Sequence, residues 1–138
     1  QKRWEGTYKD GLADGLWTFW YENGQKKSEE TYKDDEWDGP HTSWHENGQK
    51  EYEGTRKALR NGRGDFYRIG LATSYFANGQ KRHEGTYNKG GDMDGLWTDW
   101  DENGQKRAET IYKDSKKISA KYWNSKGEEV ATEEEARK

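Results

Sequence analysis

The sequence predicts an all-β fold, an elongated single-layer antiparallel meander of about five stacked β-hairpin repeats, and three observations carry that prediction. The first is repetition: Asn-Gly-Gln-Lys occurs four times, beginning at Asn23, Asn47, Asn78 and Asn103. With a degenerate fifth glycine at Gly127, the turn glycines are separated by 24, 31, 25 and 23 residues, so one unit recurs with a single insertion. Periods of this length mean stacked units that share a core. The second observation is that each Asn-Gly lies between two short runs of β type, the strongest short-range hairpin signal. The third is composition: 28% of the 138 residues are hydrophobic, 37% charged and 14% aromatic, against ~45–50% apolar residues in ordinary globular chains. Burial must rest on a few large rings, and a thick two-layer core is out of reach.

The unit has two strands. The first recurs as Glu5-Gly6-Thr7-Tyr8, Glu29-Glu30-Thr31-Tyr32, Glu53-Gly54-Thr55-Arg56 and Glu84-Gly85-Thr86-Tyr87, with Glu109-Thr110-Ile111-Tyr112 a looser copy. The second recurs as Gly15–Trp20, Gly39–Trp44, Gly70–Tyr75 and Gly95–Trp100. Between second and first strands, Asn-Gly predicts a two-residue type I′ loop, with φ > 0 at both positions. The other connection, rich in Asp and Gly, reads as an open loop. The whole chain, 1–138, reads as one domain with units at roughly 1–24, 25–48, 49–79, 80–104 and 105–127. Residues 128–138 then form a cap or the start of a further segment, where Thr132-Glu133-Glu134-Glu135 fits a capping box that opens a short helix. The chain begins on Gln1-Lys2, the second half of the repeated turn, which predicts an upstream segment.

With two-residue loops, Trp20 lies opposite Lys27, Thr18 opposite Glu29 and Leu16 opposite Thr31, all on one face. That face hardly varies: Leu16, Leu71 and Leu96 form one column, Thr18, Thr42, Thr73 and Thr98 a second, and Trp20, Trp44, Tyr75 and Trp100 a third. Lys27, Arg82 and Arg107 stand opposite aromatics, predicting cation–π pairs. On the other face Tyr32, Tyr87 and Tyr112 lie across from Gly15, Gly70 and Gly95. There the remaining columns diverge: Trp17, His41, Ala72 and Trp97; then Phe19, Ser43, Ser74 and Asp99; then Tyr21, His45, Phe76 and Asp101. On the premise that a position merely holding the stack has little reason to change, Trp17, Phe19, Tyr21, His41, His45, Phe76 and Trp97 become candidate partner contacts.

The insertion lies within residues 56–70 and carries five basic residues against one acid. Its Arg60, Arg63, Phe66, Tyr67 and Arg68 have the mixed arginine and aromatic make-up of interface hot spots. Opposed to a contact role is the plainer reading of a solvated loop paired with the acidic loops beside it. Metal chemistry is disfavoured: the Asp-rich loops lack the calcium-loop order, and His41 and His45 sit about 13 Å apart along a strand. No cysteine is present. No Gly-x-Ser-x-Gly elbow, phosphate-cradling loop or histidine with a nucleophile partner occurs either, so no enzyme and no cofactor are expected. A net charge of −3 gives no general attraction to nucleic acid or to an anionic membrane.

The Gly-(Leu/Pro)-(Trp/His)-x-x-(Trp/Tyr)-x-x-Asn-Gly and Glu-Gly-Thr-Tyr-Lys-Asp-Gly pattern resembles the MORN repeats, and its Asn-Gly-Gln-Lys form is closest to the MORN-variant repeats of bacterial proteins. The resemblance spans Gln1 to Gly127. It implies an elongated antiparallel sheet of hairpins without enzymatic activity, acting as a scaffold, protein-binding or lipid-associated module, in some bacterial members as an antitoxin. The leading expectation is therefore a non-catalytic module that binds another protein, antitoxin- or immunity-type partners included. Alternatives are glycan or cell-wall ligand binding through exposed aromatics, and a structural subunit that self-associates through its sheet edges into a filament. Compartment is left open between cytoplasmic and secreted.

Overall fold

The computed structural model describes residues 3–138; Gln1 and Lys2, read above as half of a turn, lie outside them. Three short strands open the chain: β1 (Trp4–Glu5), β2 (Tyr8–Lys9) and β3 (Leu12–Ala13). The body follows as β4 (Gly15–Trp20), β5 (Lys26–Lys33), β6 (Glu36–Trp44), β7 (Lys50–Ala58), β8 (Phe66–Tyr75), β9 (Lys81–Tyr87), β10 (Gly95–Trp100), β11 (Lys106–Lys113) and β12 (Lys116–Trp123). β13 (Glu129–Val130) and the one-turn helix α1 (Glu133–Ala136) close it. Eleven strands form one antiparallel sheet in the order β1-β4-β5-β6-β7-β8-β9-β10-β11-β12-β13, and β2–β3 is a separate hairpin. The predicted meander is thus the observed architecture. At ~4.8 Å per strand it is a ribbon one sheet thick. The capping box is present too, with Thr132 accepting from the Glu135 amide and the Glu135 carboxylate accepting back from the Thr132 amide.

The turns are the reverse of the expectation. In the Asn-Gly connections Tyr21 N–H donates to Gln25 O and Gly24 N–H to Tyr21 O, and only Gly24 has positive φ, at 87°. This is a three-residue loop, a type I turn whose last residue is left-handed, not a two-residue I′ loop. The same bonds recur at His45–Gln49, Phe76–Gln80, Asp101–Gln105 and the degenerate Asn124–Glu128. The I′ geometry appears instead in the connections read as open: Asp10-Gly11, Asp34-Asp35 and Asp114-Ser115 all have φ between 49° and 80° and join directly paired residues such as Lys33↔Glu36 and Lys113↔Lys116. The extra residue in each Asn-Gly loop is absorbed by a bulge just before the aromatic, between Phe19 and Trp20, Ser43 and Trp44, Ser74 and Tyr75, and Asp99 and Trp100. Up to the bulge the predicted register holds, Leu16↔Thr31 and Thr18↔Glu29; beyond it Trp20 faces Lys26, not Lys27.

That one-residue shift moves the cations. Lys26, Lys81 and Lys106 reach forward onto the rings of Trp44, Trp100 and Trp123 on the following strand, at 5.6, 5.9 and 5.4 Å. Lys27 and Arg82 instead cover Tyr21 and Phe76, so the expected pairs with Trp20 and Tyr75 do not form. The turn edge is stitched as well. Asn23, Asn47 and Asn78 each accept the amide two residues on and donate Nδ2–H to the carbonyl of Glu46, Ala77 or Glu102 in the following turn. Gln25, Gln49 and Gln80 lie over the next turn glycine, where a Cβ would come within 3.0–3.3 Å of the amide oxygen.

The core lies in one column. Trp97 is 2% exposed and Trp17 8%, and each indole is flanked edge-on by two tyrosines: Tyr87 and Tyr112 for Trp97, Tyr8 and Tyr32 for Trp17. Space for each indole comes from the glycine of the preceding strand: a Cβ on Gly85 or Gly6 would lie about 2 Å from the ring.

Candidate interaction surfaces

The centre of the sheet keeps the same backbone with a different filling. Where Gly6 faces Trp17, the second unit pairs Glu30 with His41, and the small Ala72 of the third has Gly85 as its register partner. Around them a polar network fills the volume. The Glu30 carboxylate accepts from Tyr32 OH at 2.7 Å and Trp37 Nε1 at 3.1 Å and lies 3.8 Å from His41. The Arg56 guanidinium sits 3.3 Å from His41 Nε2 and stacks at 4.1 Å on Trp37. Burial first, then Arg56, lowers the His41 pKa to about 4, with Glu30 opposing; burial and the bond to Glu30 push Tyr32 up to about 12. Four buried side-chain atoms here, His41 Nδ1, Tyr52 OH and Nε and Nη1 of Arg56, have no hydrogen-bond partner among the described residues.

This placement corrects the reading of the variable face. Trp17, His41 and Trp97 are buried, so they present no ring to a partner. Their column varies because each member is matched to its neighbour's volume and charge. Phe19 stacks on Trp17 at 6.5 Å. Tyr21 OH donates to Trp44 O, His45 bridges Tyr75 O and Glu51, and Phe76 lies beneath Arg82. The insertion lengthens the β7–β8 hairpin, with Ala58↔Phe66 and Arg56↔Arg68 in register. Arg60 is tied to Lys33 O, Glu36 and Asp38, as the plainer reading had it. Phe66 packs edge-on against Trp37 at 5.1 Å, and Tyr67 lies against Gly91. Arg63, paired with Asp65 but with 77% of its side chain exposed, and Arg68, lying on Phe66, face outward.

The opposite, uniform face offers what the variable one does not. Leu16, Leu71, Leu96 and Ile111 are 52%, 60%, 48% and 39% exposed, and Pro40 is exposed with them. Leu16↔Thr31, Pro40↔Thr55, Leu71↔Thr86 and Leu96↔Ile111 are register partners, so these residues form a single ridge across the strands, alternating with threonines. Midway, Pro40 and Leu71 flank a depression of about 240 Å³ floored by Glu53, Thr55 and Thr73. The charges beside the ridge are already matched: Lys26–Glu29, Lys50–Glu53, Lys81–Glu84 and Lys106–Glu109 pair at 2.8–3.1 Å. Tyr75 OH, then Lys50, lowers the Glu53 pKa, and Lys81 lowers that of Glu84. Near-uniform residues from unit to unit had pointed away from a contact role; the missing signal was that the leucines have no partner layer in a chain with so little apolar content.

A family model described as MORN repeat variant matches four times, at residues 13–34, 37–58, 68–89 and 93–114, and each match contains one Asn-Gly hairpin. The chain belongs to the MORN repeat family, a repeat family that is in general non-enzymatic. A comparison with curated proteins gives no match. Among the described residues, no group of three or more His, Asp and Glu side chains is placed to hold a metal ion.

Proposed function

We propose that this MORN-repeat chain is a protein-interaction module whose main contact surface is the ridge of Leu16, Pro40, Leu71, Leu96 and Ile111, with the insertion tip as a secondary contact. The observation that carries the reading is the exposure of four large aliphatic side chains in register on one face, while most of the aromatic rings are used in packing. Contiguous exposed apolar surface on a soluble domain marks a contact site, and the neutralised Lys–Glu rows beside it form a polar rim of the kind interfaces have. A scaffold binds several partners along the sheet, whereas an antitoxin- or immunity-type module binds one, so stoichiometry in native mass spectrometry separates these forms.

The test compares cross-linked complexes recovered with the wild-type protein, with L71N/L96N and with R63A/R68A. The ridge variant is expected to lose the specific complex while its thermal transition stays within a few degrees, because the replaced side chains are about half exposed. The arginine variant is expected to retain it at reduced yield. Equal recovery with L71N/L96N and wild type would remove the ridge from the interface.

A further inference from the structure

Where the insertion folds back over the second unit, it borders an open pocket that belongs to neither face's repeating pattern. Tyr32, Asp35, Glu36, Trp37 and Gly64 line a space of about 240 Å³, below the ~300–1,000 Å³ of pockets for whole small molecules and sized for one side-chain terminus. Two walls are aromatic and two are carboxylates. The rings are held before anything binds: Trp37 Nε1 donates to Tyr32 OH at 2.7 Å, and both groups donate to Glu30 Oε2. Asp35 Oδ1 accepts from the Ala13 amide, while its Oδ2 makes no hydrogen bond or ion pair among the described residues. Glu36 is paired with Arg60. Arg63 and Asp65, on either side of Gly64, pair with each other, and with Glu36 held by Arg60 the carboxylate left to act on the cavity is that of Asp35. The protein itself shows which group suits these walls. Arg56 stacks on the Trp37 ring and Arg60 bridges Glu36 and Asp38, both planar guanidiniums, which pair with aromatic faces and carboxylates together.

We propose that the Tyr32–Trp37–Asp35 cavity is a binding site for a guanidinium group, the arginine side chain of a bound polypeptide. This rests on the reading of the chain as a protein-interaction module. Preorganised rings and a carboxylate oxygen free to accept let such a cation enter without reordering the site. The insertion gives the array one address that the other units, which lack it, cannot supply.

The test is an NMR titration following the Trp37 indole and Gly64 amide signals with N-acetyl-arginine amide, against its neutral isostere N-acetyl-citrulline amide and against N-acetyl-lysine amide. Saturable shifts at both signals are expected with the arginine compound, with affinity about ten-fold lower for citrulline, the loss of roughly one charged contact, and intermediate for lysine. D35N keeps the oxygen that accepts from Ala13 and a residue type that tolerates positive φ, so its fold is retained and its arginine affinity falls several-fold. Arginine and citrulline shifting these signals alike, or no saturable shift, overturns the proposal, and the wild-type comparison decides this without any variant. L71N/L96N leaves this titration unchanged, so a failed cavity and a failed ridge are read separately.

Discussion

At its flanks the sheet is plugged by an indole resting on a bare glycine; at its centre the same column holds His41, Glu30, Arg56 and Tyr52. Both fillings sit on one backbone pattern, with the same turns and the same bulge, but their energetics differ. The flanking plug is apolar and closely packed, and deleting either member leaves a void or a clash. The central network draws on charges and hydrogen bonds that must stay matched out of water, and four of its atoms lack partners. A repeat can therefore change its core chemistry from unit to unit, provided the paired strand changes with it.

The largest expected effect tests the flank. W97A removes the most buried ring in the sheet and should cost about 3–5 kcal/mol, read as a lowered denaturant midpoint. G85V forces a side chain into space the indole occupies and should cost at least about 1–3 kcal/mol, whereas adding it to W97A should cost much less, because the ring it collides with has gone. Additive losses in that cycle would show that the glycine and the indole are independent.

Acid tests the centre. With its folded pKa near 4 and an unfolded value of about 6.5, His41 stays neutral in the fold while the unfolded chain takes up a proton. Stability is then complete above about pH 6.5 and falls as the pH drops towards 4, by about 3 kcal/mol from this residue. H41Q should flatten the pH 4–6.5 limb of the stability curve relative to wild type. A graft then sharpens the comparison: H41W alone meets Glu30 and should cost about 1–3 kcal/mol, and E30G added to it should return at least about 0.5 kcal/mol. The smallest effect tests what the two regions share. N78A loses the bond that ties one turn to the next, worth about 1 kcal/mol, whereas the Asn103 side chain makes no hydrogen bond among the described residues, so N103A should be nearly neutral. Equal losses would mean that the turn edge does not couple the units.

Much of this was readable in the residues. Asn-Gly at a steady period located the β4–β5, β6–β7, β8–β9 and β10–β11 hairpins, and alternation placed Leu16, Thr18 and Trp20 on one face as observed. The turn type was not readable, because Asn-Gly suits both a two-residue I′ loop and a three-residue loop with its glycine left-handed. What decides is contact with the following turn, where Asn23 and Gln25 find partners 20 or so residues away. The one-residue error that followed displaced the lysines from their rings. The buried members of the candidate set, Trp17, His41 and Trp97, were misread for a related reason: reading each strand's column alone made them look free to vary. Reading it beside the preceding strand pairs tryptophan with Gly6 or Gly85, and His41 with Glu30, and that co-variation was present in the sequence. The exposed ridge and the cavity under the insertion needed coordinates, since both depend on what fails to cover a side chain.

The asparagine ladder has a consequence for how the array comes apart. Because the first three Asn-Gly turns each hold a carbonyl of the next turn and cover its glycine, opening one of these hairpins strips bonds from the hairpin next to it. Melting should then spread along the ribbon as one zipper rather than as separate modules, and a chain shortened by whole units should lose a similar increment of stability per seam removed.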